Sequence, residues 1–228
     1  MHFATDDKKK VKFLFASGTR ATKVFLISLF ILIFLLIMMV FVYGEDYFDR
    51  RVFDLLALHI TPSRVRFMNA ISILGNQAFL IPANIAILIY FVIRRNSYVV
   101  VRVAMVAITS VLVMEWIKNI FHRVRPENPL ISAHPNFSFP SGHSFMSVSF
   151  YGLLIWLTAM YISNKKLQKL LIMLFLFLIL LIGFTRVYLR VHYATDVIAG
   201  LCIGSAWLIL SFSIIDKIES KLLTRETN

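Results

Sequence analysis

Long, almost uncharged apolar stretches recur along the chain, separated by short polar connections. A helix needs about 20 residues of this kind to cross a bilayer, with a usable range of about 17–25. Six stretches qualify: Val24 to Tyr43, Met68 to Ile93, Tyr98 to Ile120, Ser144 to Ile162, Leu167 to Phe184 and Val197 to Ile215. The first ends in Tyr43-Gly44-Glu45-Asp46 rather than in small residues that a signal peptidase would cut, so it is expected to remain as a span. Between the first two spans, Phe48, Val52, Leu55, Leu56 and His59 recur at helical spacing, with Arg50, Arg51 and Asp54 opposite and Pro62 closing the segment. That pattern suits an amphipathic helix lying in the membrane interface, although a plain linker fits the same residues. The expectation is an all-α integral membrane protein, a six-transmembrane-helix bundle with an interfacial helix between spans 1 and 2. It forms one membrane-embedded domain over residues 1–228, with its motifs within 118–196.

Composition agrees. The chain is 59% hydrophobic and 16% charged with a mean hydropathy of +0.78, whereas soluble domains average about 45–50% apolar and about 25% charged residues. A net charge of +12 would raise nucleic acid as a partner in a soluble protein. Here the cations flank apolar runs and act as topology signals, which argues against that partner. With the N-terminus inside, fourteen Lys and Arg fall on the cytoplasmic side and nine on the other. Both termini are therefore expected in the cytoplasm of a cell inner membrane. Cys202 is the only cysteine, which rules out an intramolecular disulfide and a cysteine metal cluster.

Polar residues that a bilayer should exclude gather in three places. Lys118, His122 and Arg125 close the third span and share a face if the helix continues to Pro126. Pro140-Ser141-Gly142-His143 opens the fourth span, and Thr185-Arg186 leads through Arg190 and His192 to Asp196 at the start of the sixth. The connections after spans 3 and 5 emerge on the same side whatever the orientation, so the three clusters can meet. Asp196 is the only acidic residue between positions 128 and 215, so the pocket carries surplus positive charge and wants an anion with several oxygens. Phosphate fits: Arg125 and Arg186 offer guanidinium forks, Lys118 a point charge, and Ser141 and Gly142 a hydroxyl and backbone N–H groups at a helix N-terminus.

Two histidines exceed what binding requires. Asp196, four residues after His192, can hold one imidazole nitrogen and leave the other aimed at phosphorus, as a nucleophile needs. His143 can then protonate the departing oxygen. One aspartate is too few for magnesium, so metal-independent chemistry without a cofactor is expected.

Lys118 with six residues before Arg125-Pro126, then Pro140-Ser141-Gly142-His143, then Thr185-Arg186 with five residues before His192 and three before Asp196, resembles the tripartite signature of the type 2 phosphatidic acid phosphatase superfamily. The resemblance implies a membrane-bound lipid phosphatase with a phosphohistidine on His192, Asp196 as its orienting partner and His143 as acid. It implies phosphate held by Lys118, Arg125, Ser141, Gly142 and Arg186. Thr185 stands where the family usually has Ser, keeping a hydroxyl.

The partners expected are a phosphorylated lipid and the bilayer, with the site facing the periplasm or cell exterior. Phosphatidate, phosphatidylglycerophosphate, undecaprenyl diphosphate and lipid A type phosphates all fit. An anion transporter or channel is the alternative, but it would place its cations near mid-membrane, and a haloperoxidase of the same superfamily would not need six spans. Outside the signature, His122, Arg123 and Arg190 are expected to touch headgroups, Arg102 to snorkel, Glu115 to pair with Lys118 or line the pocket, and His134 to lie in a loop.

Overall fold

Backbone N–H and C=O groups have no water to bind inside a bilayer, so each apolar run must satisfy them internally as a helix. The computed structural model describes residues 19–44, 46–132 and 136–226, with side chains as far as 218; His134 and the lysines at 8–12 lie outside them. The described residues form helices and connecting segments, with no strand. They are α1 (Arg20–Ile37, continued by a π-helical turn Met38–Val42), α2 (Tyr47–Ala57), α3 (Pro62–Ser72), α4 (Gln77–Ile93), α5 (Ser97–Lys118), α6 (Gly142–Tyr161), α7 (Lys165–Tyr188) and α8 (Ala194–Glu226). Six segments are long and apolar enough to span a membrane, α3 and α4 counting as one across a 3₁₀ turn at Ile73–Gly75.

The second span begins six residues earlier than its hydropathy suggests. Thr61 caps α3 by accepting the Arg64 N–H at 3.3 Å, and Pro62 occupies the first turn, where its missing N–H costs nothing. The third span ends earlier than expected, at Lys118, and residues 121–141 leave the helix. Lys118, His122 and Arg125 therefore do not share a helix face, and Arg125 reaches the site from an extended loop.

The helix α6 is the centre of the bundle, packed chiefly against α7 and α8. Its contact with α8 is close because of two glycines. A β-carbon at Gly200 would lie 2.6 Å from the Ser141 carbonyl oxygen, and one at Gly204 would lie 3.0 Å from that of Phe145. Small residues four apart let membrane helices meet backbone to backbone. At the opposite end of the bundle, Arg102 is only 2% exposed and donates to Asp216, with its guanidinium 3.7 Å from the Tyr98 ring centre. It does not snorkel, because α8 supplies a carboxylate inside the bundle and pairing there costs less than dragging the charge to the surface. Glu115 is exposed on α5 while Lys118 turns inward.

The helix α2 forms where the amphipathic pattern predicts it. Val52, Phe53 and Leu56 pack against Val187, Ala194 and Val197. Phe48, Leu55 and Leu58 stay exposed, at 45%, 67% and 83%. The segment between spans 1 and 2 thus rests on the residues that join α7 to α8.

Candidate active site

Three connections converge at one end of the bundle: α2 with its flanks, the loop from 119 to 141, and residues 189–193. Their meeting point is His192, which is 2% exposed. Its backbone N–H donates to the Arg186 carbonyl at 3.2 Å, so the turn that ends α7 fixes where the imidazole stands.

Each ring nitrogen has distinct company. Nδ1 lies 3.5 Å from Asp196 Oδ2 and 3.3 Å from Ser138 Oγ, and Ser138 itself donates to Asp196 Oδ2. Two acceptors around Nδ1 assign it the proton, which leaves a lone pair on Nε2. The Nε2 lone pair accepts from Nη1 of Arg125 at 3.2 Å. Burial holds the His192 imidazole down to about 4 against the pull of Asp196, and the nearby charges of Arg125 and Arg186 push the same way. The ring is therefore neutral at physiological pH, as an attacking nitrogen must be.

Asp196 is built into the start of α8. It accepts from the Tyr193 N–H at 3.0 Å, one residue before the helix begins, in the manner of a capping carboxylate three residues into a helix. Its other oxygen, Oδ1, accepts from Nη1 of Arg123 at 2.6 Å. Arg123 is 12% exposed on its side chain and also donates to Asp49 of α2 at 2.8 Å. Burial alone would lower its pKa, but Asp196 and Asp49 more than offset that and raise it. Arg123 thus faces inward on two carboxylates and is not a headgroup contact. The loop is extended here, and residues two apart in an extended segment point the same way, so Arg123 and Arg125 both turn toward the site.

The residues expected to hold phosphate lie at the same end of the bundle, with Arg125 beside Nε2. Arg125 bonds the carbonyls of Asn136 at 2.8 Å and Val191 at 2.7 Å, as well as the Asn136 side chain. Lys118 donates to the Phe137 carbonyl at 2.7 Å and passes over Gly142, a β-carbon on which would sit 3.7 Å from Lys118 Cε. Ser141 caps α6, accepting from the Ser144 N–H at 3.4 Å and Ser144 Oγ at 3.0 Å, which leaves its own O–H to donate. The Ser141 N–H is bound to the Asp196 carbonyl at 3.0 Å, so the Pro-Ser-Gly-His segment and the Asp196 turn are stitched together. Arg186 is 7% exposed, donates through Nη1 to Ser72 of α3, and keeps a buried Nε with no protein partner. His143 stands in the first turn of α6. His122 is exposed and stacks edge-on against Phe137, their ring centres 4.4 Å apart. Arg190 packs over Phe53 of α2, 5.7 Å from its ring centre.

Ser138, Asp49 and Thr195 were not evident from the sequence. Only Ser138 carries a local signal, as a hydroxyl two residues before Pro140. The arrangement presents a neutral imidazole nitrogen beside the Arg125 guanidinium, with the charge of Arg186 also near, which suits attack on a phosphoryl group.

The family model described as the PAP2 superfamily matches residues 99–220. Phosphatidylglycerophosphatase B of Bacillus subtilis (strain 168) is 30% identical over 138 residues, 60% of this chain and 68% of that protein. The crystal structure of the first transmembrane PAP2 type phosphatidylglycerolphosphate phosphatase from Bacillus subtilis superposes with a TM-score of 0.75 at 26% identity, over 85% of this chain and 96% of that one. The crystal structure of Aquifex aeolicus LpxE matches with a TM-score of 0.57 at 25% identity, over 72% and 93% of the two chains.

Proposed function

The chain belongs to the PAP2 superfamily, and from that premise we propose that it hydrolyses the phosphomonoester or diphosphate of a membrane lipid through a phosphohistidine on His192. Phosphatidylglycerophosphate is the first substrate to test, given the names of the Bacillus subtilis relatives. The observation that carries this reading is the opposed setting of the two ring nitrogens: Nδ1 faces the Asp196 and Ser138 oxygens, while Nε2 lies 3.2 Å from the Arg125 guanidinium. A phosphoryl group that takes over the Arg125 Nη1 donor leaves the Nε2 lone pair free to attack.

In the first step Nε2 attacks phosphorus and the bond to the leaving oxygen breaks, with His143 giving that oxygen its proton. Lys118, Arg125, Arg186 and the donors of Ser141 and Gly142 hold the equatorial oxygens, where charge develops. Asp196 stabilises the positive ring by accepting from Nδ1. In the second step His143, now neutral, takes a proton from water, the water oxygen attacks phosphorus, and inorganic phosphate leaves with His192 restored. Cations gathered at one end of the bundle serve this chemistry better than anion passage, which needs them along a path.

Purified protein given a panel of phosphatidate, phosphatidylglycerophosphate, undecaprenyl diphosphate and lipid A type phosphates is expected to release phosphate. The lipid with the highest kcat/KM identifies the substrate. We place no metal in the reaction, because Lys118, Arg125 and Arg186 can supply the positive charge that the phosphoryl oxygens require. Turnover should survive excess EDTA, and vanadate should inhibit by mimicking the trigonal bipyramid. Loss on chelation that magnesium restores overturns this point.

The site is proposed to face outward from the cytoplasmic membrane with both termini inside. The excess of cations on the opposite side supports that orientation, and it grows when Lys118, Arg125 and Arg186 are assigned to phosphate. Cysteines replacing exposed Ser132 and Ser163, singly and in a Cys202→Ser background, report it in intact spheroplasts. An impermeant thiol reagent is expected to label position 132 and spare 163; the reverse pattern would put the site on the cytoplasmic leaflet.

A further inference from the structure

Asp196, the carboxylate beside His192, is itself linked through Arg123 to the helix α2. Asp49 lies on α2, an otherwise largely exposed helix, yet is 1% exposed. Its carboxylate accepts from the Thr195 N–H at 3.0 Å, from Thr195 Oγ1 at 2.6 Å and from Nη2 of Arg123 at 2.8 Å. Nη1 of the same guanidinium donates to Thr195 Oγ1 at 2.7 Å and to Asp196 Oδ1 at 2.6 Å. The result is a carboxylate–guanidinium–carboxylate bridge whose far end is Asp196. An aromatic stack runs beside it: the Phe53 ring of α2 lies 5.8 Å from that of Tyr193, over which Arg123 sits at 4.0 Å.

A purely structural clamp has no need of charge. Apolar groups of similar volume hold helices together as well as or better than a buried ion pair, which must first be stripped of water. What the ionic bridge adds is control over Asp196. Oδ2 takes the Ser138, Tyr193 and His192 side of the site, and Oδ1 is fixed by a guanidinium that must also serve Asp49. Without Asp49, one fork of Arg123 loses its anchor and its undivided charge falls on Asp196. That draws the negative charge of Asp196 toward Arg123 and weakens its hold on the His192 ring.

The geometry points to Asp49 as a positioning residue for phosphoryl transfer, acting through Arg123 on Asp196, so that turnover depends on the docking of the surface helix α2 against residues 190–196. This rests on the phosphatase reading above. No residue of α2 is in the phosphate cradle, so the effect belongs in kcat and not in substrate binding.

The test is phosphate release by the full chain in lipid vesicles, with wild type beside Asp49→Asn and Asp49→Glu. For Asp49→Asn, kcat per folded molecule is expected to fall about 10²-fold, the loss typical of a small misplacement at a reacting centre. KM and inhibition by vanadate stay near wild type, and Asp49→Glu regains part of the rate. If Asp49→Asn does not fold, Thr195→Val takes its place: it removes only the hydroxyl shared by Asp49 and Arg123, and is expected to lower kcat at unchanged KM. Either variant folded and turning over like wild type, or losing activity only in proportion to folded protein, overturns the inference while leaving the phosphatase standing. A wild type that releases no phosphate from any lipid of the panel overturns both.

Discussion

Replacing His192 by alanine is expected to leave the chain folded and to abolish turnover. The helix start at Asp196 survives, because that carboxylate keeps Arg123, Ser138 and the Tyr193 N–H as partners. The chemistry does not, because no other described nucleophile has both an orienting carboxylate and the Arg125 guanidinium beside it. Removal of a nucleophile from a preorganised site costs at least about 10⁴-fold in kcat. Acid quench of wild type with labelled lipid is expected to trap phosphate on the protein, and the alanine variant is expected to trap none. Retention of more than about one hundredth of the wild-type rate would defeat the assignment, since binding and cationic stabilisation alone leave far less. The same residue sets the acid side of the pH profile. Attack needs the neutral ring, and burial holds the imidazole down to about 4. kcat/KM should therefore hold through pH 6.5, where a solvated histidine would already be half protonated, and fall only as pH drops toward 4.

His143→Ala carries the second largest effect and a signature of its own. A general acid contributes about 10²–10⁴-fold when the leaving group is a poor one. Phosphatidate and phosphatidylglycerophosphate release an alkoxide, which must be protonated as it departs. Undecaprenyl diphosphate releases a phosphate monoester, which departs readily as an anion. The loss in kcat should therefore be large on the monoesters and small on the diphosphate, with vanadate inhibition little changed because the cradle is intact. Equal losses on both substrate types would remove His143 from the acid role.

The six spans were legible because apolar length is a local property that each segment carries by itself. Span ends were less so. At Pro62 the capping pair Thr61-Pro62 is plain in the sequence, yet Ser63, Arg64 and Arg66 lower the hydropathy and mask the helix they begin. The order and spacing of Lys118, Arg125, Ser141, His143, Arg186, His192 and Asp196 pointed to one cluster; in the structure Arg125 meets His192, His192 lies beside Asp196, and the Ser141 N–H binds the Asp196 carbonyl. Arg123 and Arg102 were misread for one reason: each has its carboxylate far away in the chain, Asp49 and Asp196 for the first and Asp216 for the second. A long-range partner turns an apparent surface cation into a buried one, and no local pattern announces it. Asp49 itself was hidden among the charged residues of an amphipathic helix, where which side is buried depends on what the helix lies against.

The glycine seam between α6 and α8 has a mechanical consequence. His143, the proposed acid, rides on the first turn of α6, and Asp196, the carboxylate beside the proposed nucleophile, rides on the first turn of α8. The seam brings these two helices to within backbone contact at Gly200 and Gly204, leaving no side-chain layer there to compress or relax. The two helices act as a caliper with a fixed gap. When a bilayer thickens or thins, helices must tilt to follow it, and the outlying α1, α3 and α4, with little buried surface, yield first. The jaws are expected to keep their spacing, so the proposed site should feel a change in membrane thickness less than the outlying helices do.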